Sequence, residues 1–192
     1  GWWNHTSEDD LDKYDPAVVA KDARAQLIYL WQLIAPLLLP FDFMPLIDTI
    51  NAKLADLAVQ SGGVISLEDV IVEGQKLKEL LVSLYAIRAQ RLLTSESLDV
   101  LNKVHKRLSR LLTEAFYTYV DRYGQDFYGT TILSKPIPLL YQVVTLAQMD
   151  RGSDDYRMLE TELLRNRSRV WEALHAAVYT VEDALKVLSR CC

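Results

Sequence analysis

The sequence predicts an all-α fold, one helical bundle of about six helices, and three observations carry that expectation. Apolar residues recur at three- and four-residue steps along most of the chain, which is the period of one helix face. The strict alternation of a half-buried strand is nearly absent. Only 7 Gly and 6 Pro are scattered through 192 residues, few enough to leave long uninterrupted segments. Half of the residues are hydrophobic and 24% are charged, an ordinary globular composition in a chain long enough for one good core.

Asp15-Pro16 marks the first helix start, because Asp accepts hydrogen bonds from first-turn amides and Pro is tolerated there. From Val18 the positions Val19, Ala23, Leu27, Leu30, Trp31, Ile34 and Leu38 follow helical steps, and the helix is expected to end near Pro40. Asp42 is expected to cap a second helix, with Pro45 in its first turn and Leu46, Ile50, Leu54 and Leu57 on its inner face. Ser61-Gly62-Gly63 stops it. A third helix opens at Ser66-Leu67-Glu68-Asp69 and runs to about Leu93 through Val70, Leu77, Leu81, Leu84 and Ile87, with Gly74 a minor penalty inside it. The fourth runs from about Ser95 to Val120 through Leu101, Val104, Leu108, Leu111, Leu112 and Phe116.

Residues 121–135 read as the one substantial loop, rich in aromatic and turn residues. Pro136 and Pro138 introduce a shorter helix through Leu140, Val144 and Leu146. After the polar turn Arg151 to Asp155, the last helix continues to about Ser189 through Leu159, Leu163, Val170, Leu174, Ala177, Val181 and Leu185.

The greasiest run, Ala25 to Leu39, is too short to cross a bilayer, which takes about twenty residues. Gln26 and Gln32 interrupt it, and Arg24 and Asp42 bracket it, so no membrane span is expected in this segment. A helix apolar on more than one face has to be buried on several sides, centrally in the bundle or against another protein surface. The break after it, LLLPFDFMPLIDTI, reads as a corner between the first two helices.

A formal net charge of −5 and a pI near 5.2 argue against nucleic acid as a partner. Lys103, Lys106, Arg107 and Arg110 share one helix face, read as a solvated face. Cys191 and Cys192, adjacent and last, form no disulfide framework and no zinc-site spacing. The acidic, polar start GWWNHTSEDD is unlike a signal peptide, and a leading Gly without Met is expected of a fragment cut from a longer protein. Among the histidines, His105 is expected at the surface amid Lys and Arg, and His175 packed or hydrogen-bonded locally. The triplets Asn4-His5-Thr6 and Asn166-Arg167-Ser168 match glycosylation acceptors, but such triplets arise by chance and Asn166 falls in a helix. No HExxH, phosphate loop or GxSxG occurs.

Taken from its residues alone, the N-terminal stretch HTSEDDLDKYDP is one imidazole before an acidic run that leads into a helix. It resembles the His-Thr-x-x-Asp-x-Leu-Asp-Lys-x-Asp-Pro segment of the co-catalytic zinc exopeptidases. His5, Thr6, Asp9, Leu11, Asp12, Lys13, Asp15 and Pro16 match; Asp10 departs, standing where Thr or Ser is usual. By that resemblance His5 is a zinc ligand in a full-length parent, whose two zinc ions activate a water for peptide hydrolysis. The fragment itself lacks the other ligands, so no cofactor and no catalytic residue are expected in it.

A longer resemblance covers most of the remainder. VVAKDARAQLIYLWQLIAPLLLPFDF, LNKVHKRLSRLLTEAF with Asp126-Phe127-Tyr128 and Pro138-Leu139-Leu140-Tyr141, and RNRSRVWEALHAAVYTVEDALKVL are similar, in order and spacing, to the helical dimerisation domain of the transferrin receptor and glutamate carboxypeptidase family. The resemblance implies that residues 1–14 end a catalytic domain and that residues 15–190 form a homodimerisation domain with two-fold symmetry, inactive in isolation. The parent would be a zinc-dependent metallopeptidase of aminopeptidase or carboxypeptidase type. The alternative is a non-catalytic receptor or sorting protein. An extracellular, periplasmic or luminal location goes with either.

In the family a longer loop carries a Lys-Tyr pair for a substrate's terminal glutamate. Here Lys135 precedes Pro136 instead, so glutamate specificity does not carry over. Tyr123, Phe127 and Tyr128 remain candidates to shape a substrate pocket of the parent, and packing explains these aromatics equally well.

Overall fold

The structure, a computed structural model, describes residues 6–7, 10, 14–90, 93–118 and 136–190. Six α-helices and no strand occur among them, as the periodicity predicts. The chain divides into two compact units, Gly1–Pro40 and Phe41–Cys192.

The first unit holds α1, Pro16–Ile34. Asp15 is its N-cap, accepting hydrogen bonds from the N–H groups of Ala17 at 2.8 Å and Val18 at 3.4 Å. The helix stops well short of Pro40. Ala35 donates its N–H to Trp31 O, and the next residue, Pro36, has no N–H and would clash with the carbonyl of Gln32 in a continued helix.

The second unit is built from α2 (Met44–Gln60), α3 (Glu68–Gln90), α4 (Ser95–Tyr117), a 3-10 turn (Pro138–Leu140), α5 (Val143–Leu146) and the 37-residue α6 (Asp154–Arg190). Phe43, not Asp42, occupies the N-cap position of α2. Its ring is buried and its N–H is satisfied by Tyr85 Oη at 2.9 Å. Asp42 contributes from one residue earlier, accepting from Met44 N–H at 2.9 Å. Gly62 and Gly63 take φ of 58° and 78° after α2, left-handed values that a β-carbon disfavours. Helix α3 is described as far as Gln90, and Leu93, near which it was expected to end, is not helical. Thr94 starts α4 by accepting from Ser97 N–H at 3.2 Å. An extended Thr118 ends it before Val120. Ser153 does the capping for α6, its hydroxyl accepting from Tyr156 N–H at 3.1 Å.

Helix α6 is the central post. It packs against α3 and α4 along its length, while α2 packs on α3. The paired positions show the directions. Asp48–Lys78 and Asn51–Gly74 make α2 and α3 antiparallel, whereas Asp69–Arg167 and Lys76–Glu182 make α3 and α6 parallel. Leu54, Leu77, Leu81, Leu108, Leu112, Phe116, Leu174 and Val181 are fully buried between them. Leu46, Ile87, Leu111, Val144, Leu159 and Leu185, expected inside, are only half-buried, and Ile47 rather than Leu46 fills the α2 interface.

His105 is not a surface residue. It is wholly buried, ringed by Phe41, Phe43 and Tyr85 at centroid distances of 6.2, 5.9 and 6.4 Å. It lies four residues after Leu101 and three before Leu108, which puts it on the inner stripe of α4 whatever charges its sequence neighbours carry. Burial pushes the neighbouring Tyr85 phenol above its ordinary value of 10.

Candidate interaction surface

From Ala25 to Ile34, α1 contains no charged residue. Leu27, Leu30, Trp31 and Ile34 form a stripe at helical spacing, and Ile28, Tyr29 and Leu33 widen it around the helix. No residue of α1 is buried, and Trp31 and Ile34 are 69% and 74% exposed. Apolar surface of this extent marks a helix that needs a partner surface.

The polar chemistry of the second unit runs along the seam of α3 and α6. Arg167 reaches Asp69 with two guanidinium nitrogens, Nε at 3.2 Å from Oδ1 and Nη2 on Oδ2. Burial would raise the Asp69 carboxyl; the Arg167 hydrogen bonds and charge, together with Val70 N–H, outweigh it and hold the group below its ordinary 3.8. One turn on, Glu73 Oε1 lies 2.7 Å from His175 Nδ1, and the imidazole stacks on Trp171 with a centroid distance of 4.6 Å. Lys76 and Glu182 close the seam at 2.8 Å.

A carboxylate–imidazole pair is one half of many acid–base sites. The hydrogen bond between His175 and Glu73 ties α6 to α3. The local packing expected of His175 is met by Trp171, whereas its hydrogen bond reaches a residue 102 positions away. Asn166 likewise turns inward, donating to Leu139 O at 3.2 Å, which fits a helical, packed Asn.

His5, Tyr123, Phe127 and Tyr128, the residues singled out for metal and substrate, lie outside the described residues. Among the described residues no group of three or more His, Cys, Asp or Glu side chains is placed to hold a metal ion, and no helix is long and apolar enough to cross a membrane. Compared with known protein families, with curated proteins and with solved structures, the chain matches none.

Proposed function

We propose that this chain is the C-terminal homodimerisation module of a zinc exopeptidase-like protein. The observation that carries the reading is α1, whose uncharged half exposes apolar side chains around the helix. A second copy is a natural partner for such a surface, because a two-fold axis lets one apolar patch cover its own equivalent. The all-helical bundle of the second unit and the order of its motifs agree with a transferrin receptor-like dimerisation domain. In this reading peptide hydrolysis belongs to the parent's catalytic domain, to which His5 contributes a zinc ligand, and the isolated chain has no activity.

Sedimentation velocity tests the association. At micromolar concentration the chain sediments as a dimer, and Leu30→Glu/Trp31→Glu, a change on exposed positions of α1, shifts it to monomer. A wild-type chain that stays monomeric at that concentration overturns the dimer, since an obligate interface buries about 2,000 Å² or more. The sequence immediately upstream of Gly1 tests the peptidase. A parent lacking the remaining zinc ligands would be a receptor-like relative instead.

A further inference from the structure

Helices α4 and α6 run antiparallel and leave a groove of about 430 Å³ between their outer edges. Its floor is apolar, with Val104 and Ala184 almost fully buried, and its α6 wall carries Tyr179, 58% exposed, and Val187, 39% exposed. Lys103 and Arg107 line its α4 edge, and Lys106 and Arg110 stand next to them on the helix; all four are exposed. They occupy steps of three, one and three residues, so they form a cationic edge about 10 Å long.

Several other cations of the second unit are paired. Lys53, Lys76, Lys78, Arg157, Arg167 and Lys186 each hold a carboxylate. None of the four on α4 makes an ion pair among the described residues. Asp183, the one carboxylate in the groove, is engaged by Lys186 at 3.1 Å on its own helix. Two cations lining an apolar trough, Lys103 and Arg107, with Lys106 and Arg110 next to them on α4, give this part of a chain of net charge −5 local complementarity toward an acidic and apolar occupant.

We propose that the α4–α6 groove is the docking site of an acidic amphipathic helix from a partner protein. Its apolar stripe seats against Tyr179 and Val187, over Val104 and Ala184, and its carboxylates face Lys103 and Arg107, with Lys106 and Arg110 beside them. The shape selects this occupant. A concave trough between two helices takes the ridge of a third, with apolar anchors at helical spacing, whereas a lipid surface is too flat to fill it. Nucleic acid is disfavoured by the apolar floor and by the negative charge of the chain as a whole. The groove lies within the second unit and is independent of α1, so it stands whether or not the chain dimerises.

The test uses the full chain and a fluorescein-labelled helical peptide of about eighteen residues, with Leu at helical spacing and Glu on both flanks. A control peptide carries Lys in place of every Glu. Anisotropy should show saturable micromolar binding of the acidic peptide and at least about tenfold weaker binding of the control. Lys103→Glu/Arg107→Glu should weaken the acidic peptide about tenfold, as should raising NaCl from about 0.05 to about 0.5 M. Tyr179→Ala should weaken both peptides alike. All three replaced residues are exposed, and unchanged circular dichroism shows that the variants are folded. Three results would overturn the proposal: no saturable binding of the acidic peptide, equal binding of both peptides, or binding that survives the charge reversal. Charge-dependent capture by phosphatidylserine vesicles without peptide binding would likewise overturn it, in favour of a lipid surface.

Discussion

Replacing Gly74 by alanine adds a methyl group to the face of α3 that meets α2. Gly74 is buried, and the new carbon would fall inside the van der Waals envelope of Asn51 Oδ1 and 3.4 Å from Asn51 Cγ. Asn51 cannot simply withdraw, because its Nδ2 donates to the Gly74 carbonyl at 3.2 Å. Two effects compete. Alanine is favoured over glycine inside a helix by about 1 kcal/mol. Against that stand about 1 kcal/mol for the lost hydrogen bond and roughly 1–3 kcal/mol for overpacking. The net expectation is a loss of roughly 1–3 kcal/mol. With Asn51→Ala in the background the obstruction is gone, and the next neighbour, Leu174 Cδ1 at 3.8 Å, is in ordinary contact. There Gly74→Ala should stabilise by roughly 0.5–1 kcal/mol. Urea unfolding of the four proteins, followed by far-ultraviolet circular dichroism, measures the cycle. Stabilisation by Gly74→Ala in the wild type, or additivity within about 0.5 kcal/mol, would refute the reasoning.

Two further expectations concern the seam of α3 and α6. Arg167→Met should cost about 0.5–1 kcal/mol at neutral pH, since its pair with Asp69 is partly exposed. The folded-state carboxyl of Asp69 is depressed, so this contribution is present above the ordinary carboxylate range and is lost as pH falls through the folded value, below 3.8. Urea midpoints of wild type and variant should therefore converge in acid, and a gap that persists once Asp69 is protonated counts against the pairing. His175→Ala leaves the nearly buried Glu73 carboxylate without its hydrogen-bond partner and should cost about 1–3 kcal/mol. Glu73→Met/His175→Ala should be more stable than His175→Ala alone in the same assay; equal or lower stability would mean that the pair matters only through packing.

What could be read along the chain was what is local. Asp15-Pro16, Ser61-Gly62-Gly63 and the start at Ser95 each act through bonds or dihedrals within a few residues, and each appears where the sequence puts it. Pro36 is a local signal of the same kind, yet the end of α1 was expected four residues later, at Pro40. Periodicity also contained the burial of His105, hidden only by the Lys and Arg on either side. The apolar excess of α1 could be seen as a demand for a partner surface. His5, Tyr123, Phe127 and Tyr128 rest on resemblance alone.

The sequence by itself determined the fold class, the number of helices and which face of most helices turns inward, because three- and four-residue spacing is a property of the chain. Tertiary structure alone decided which faces meet. Arg167 finds Asp69 and His175 finds Glu73 across about a hundred residues of chain, a pairing that no local rule specifies. Gly74 looked like a weak point in α3, and only the approach of Asn51 gives it a reason. The four cations of α4 looked like a solvated face. They are exposed, as such a face would be, and two of them, Lys103 and Arg107, also border a groove because α6 runs beside them.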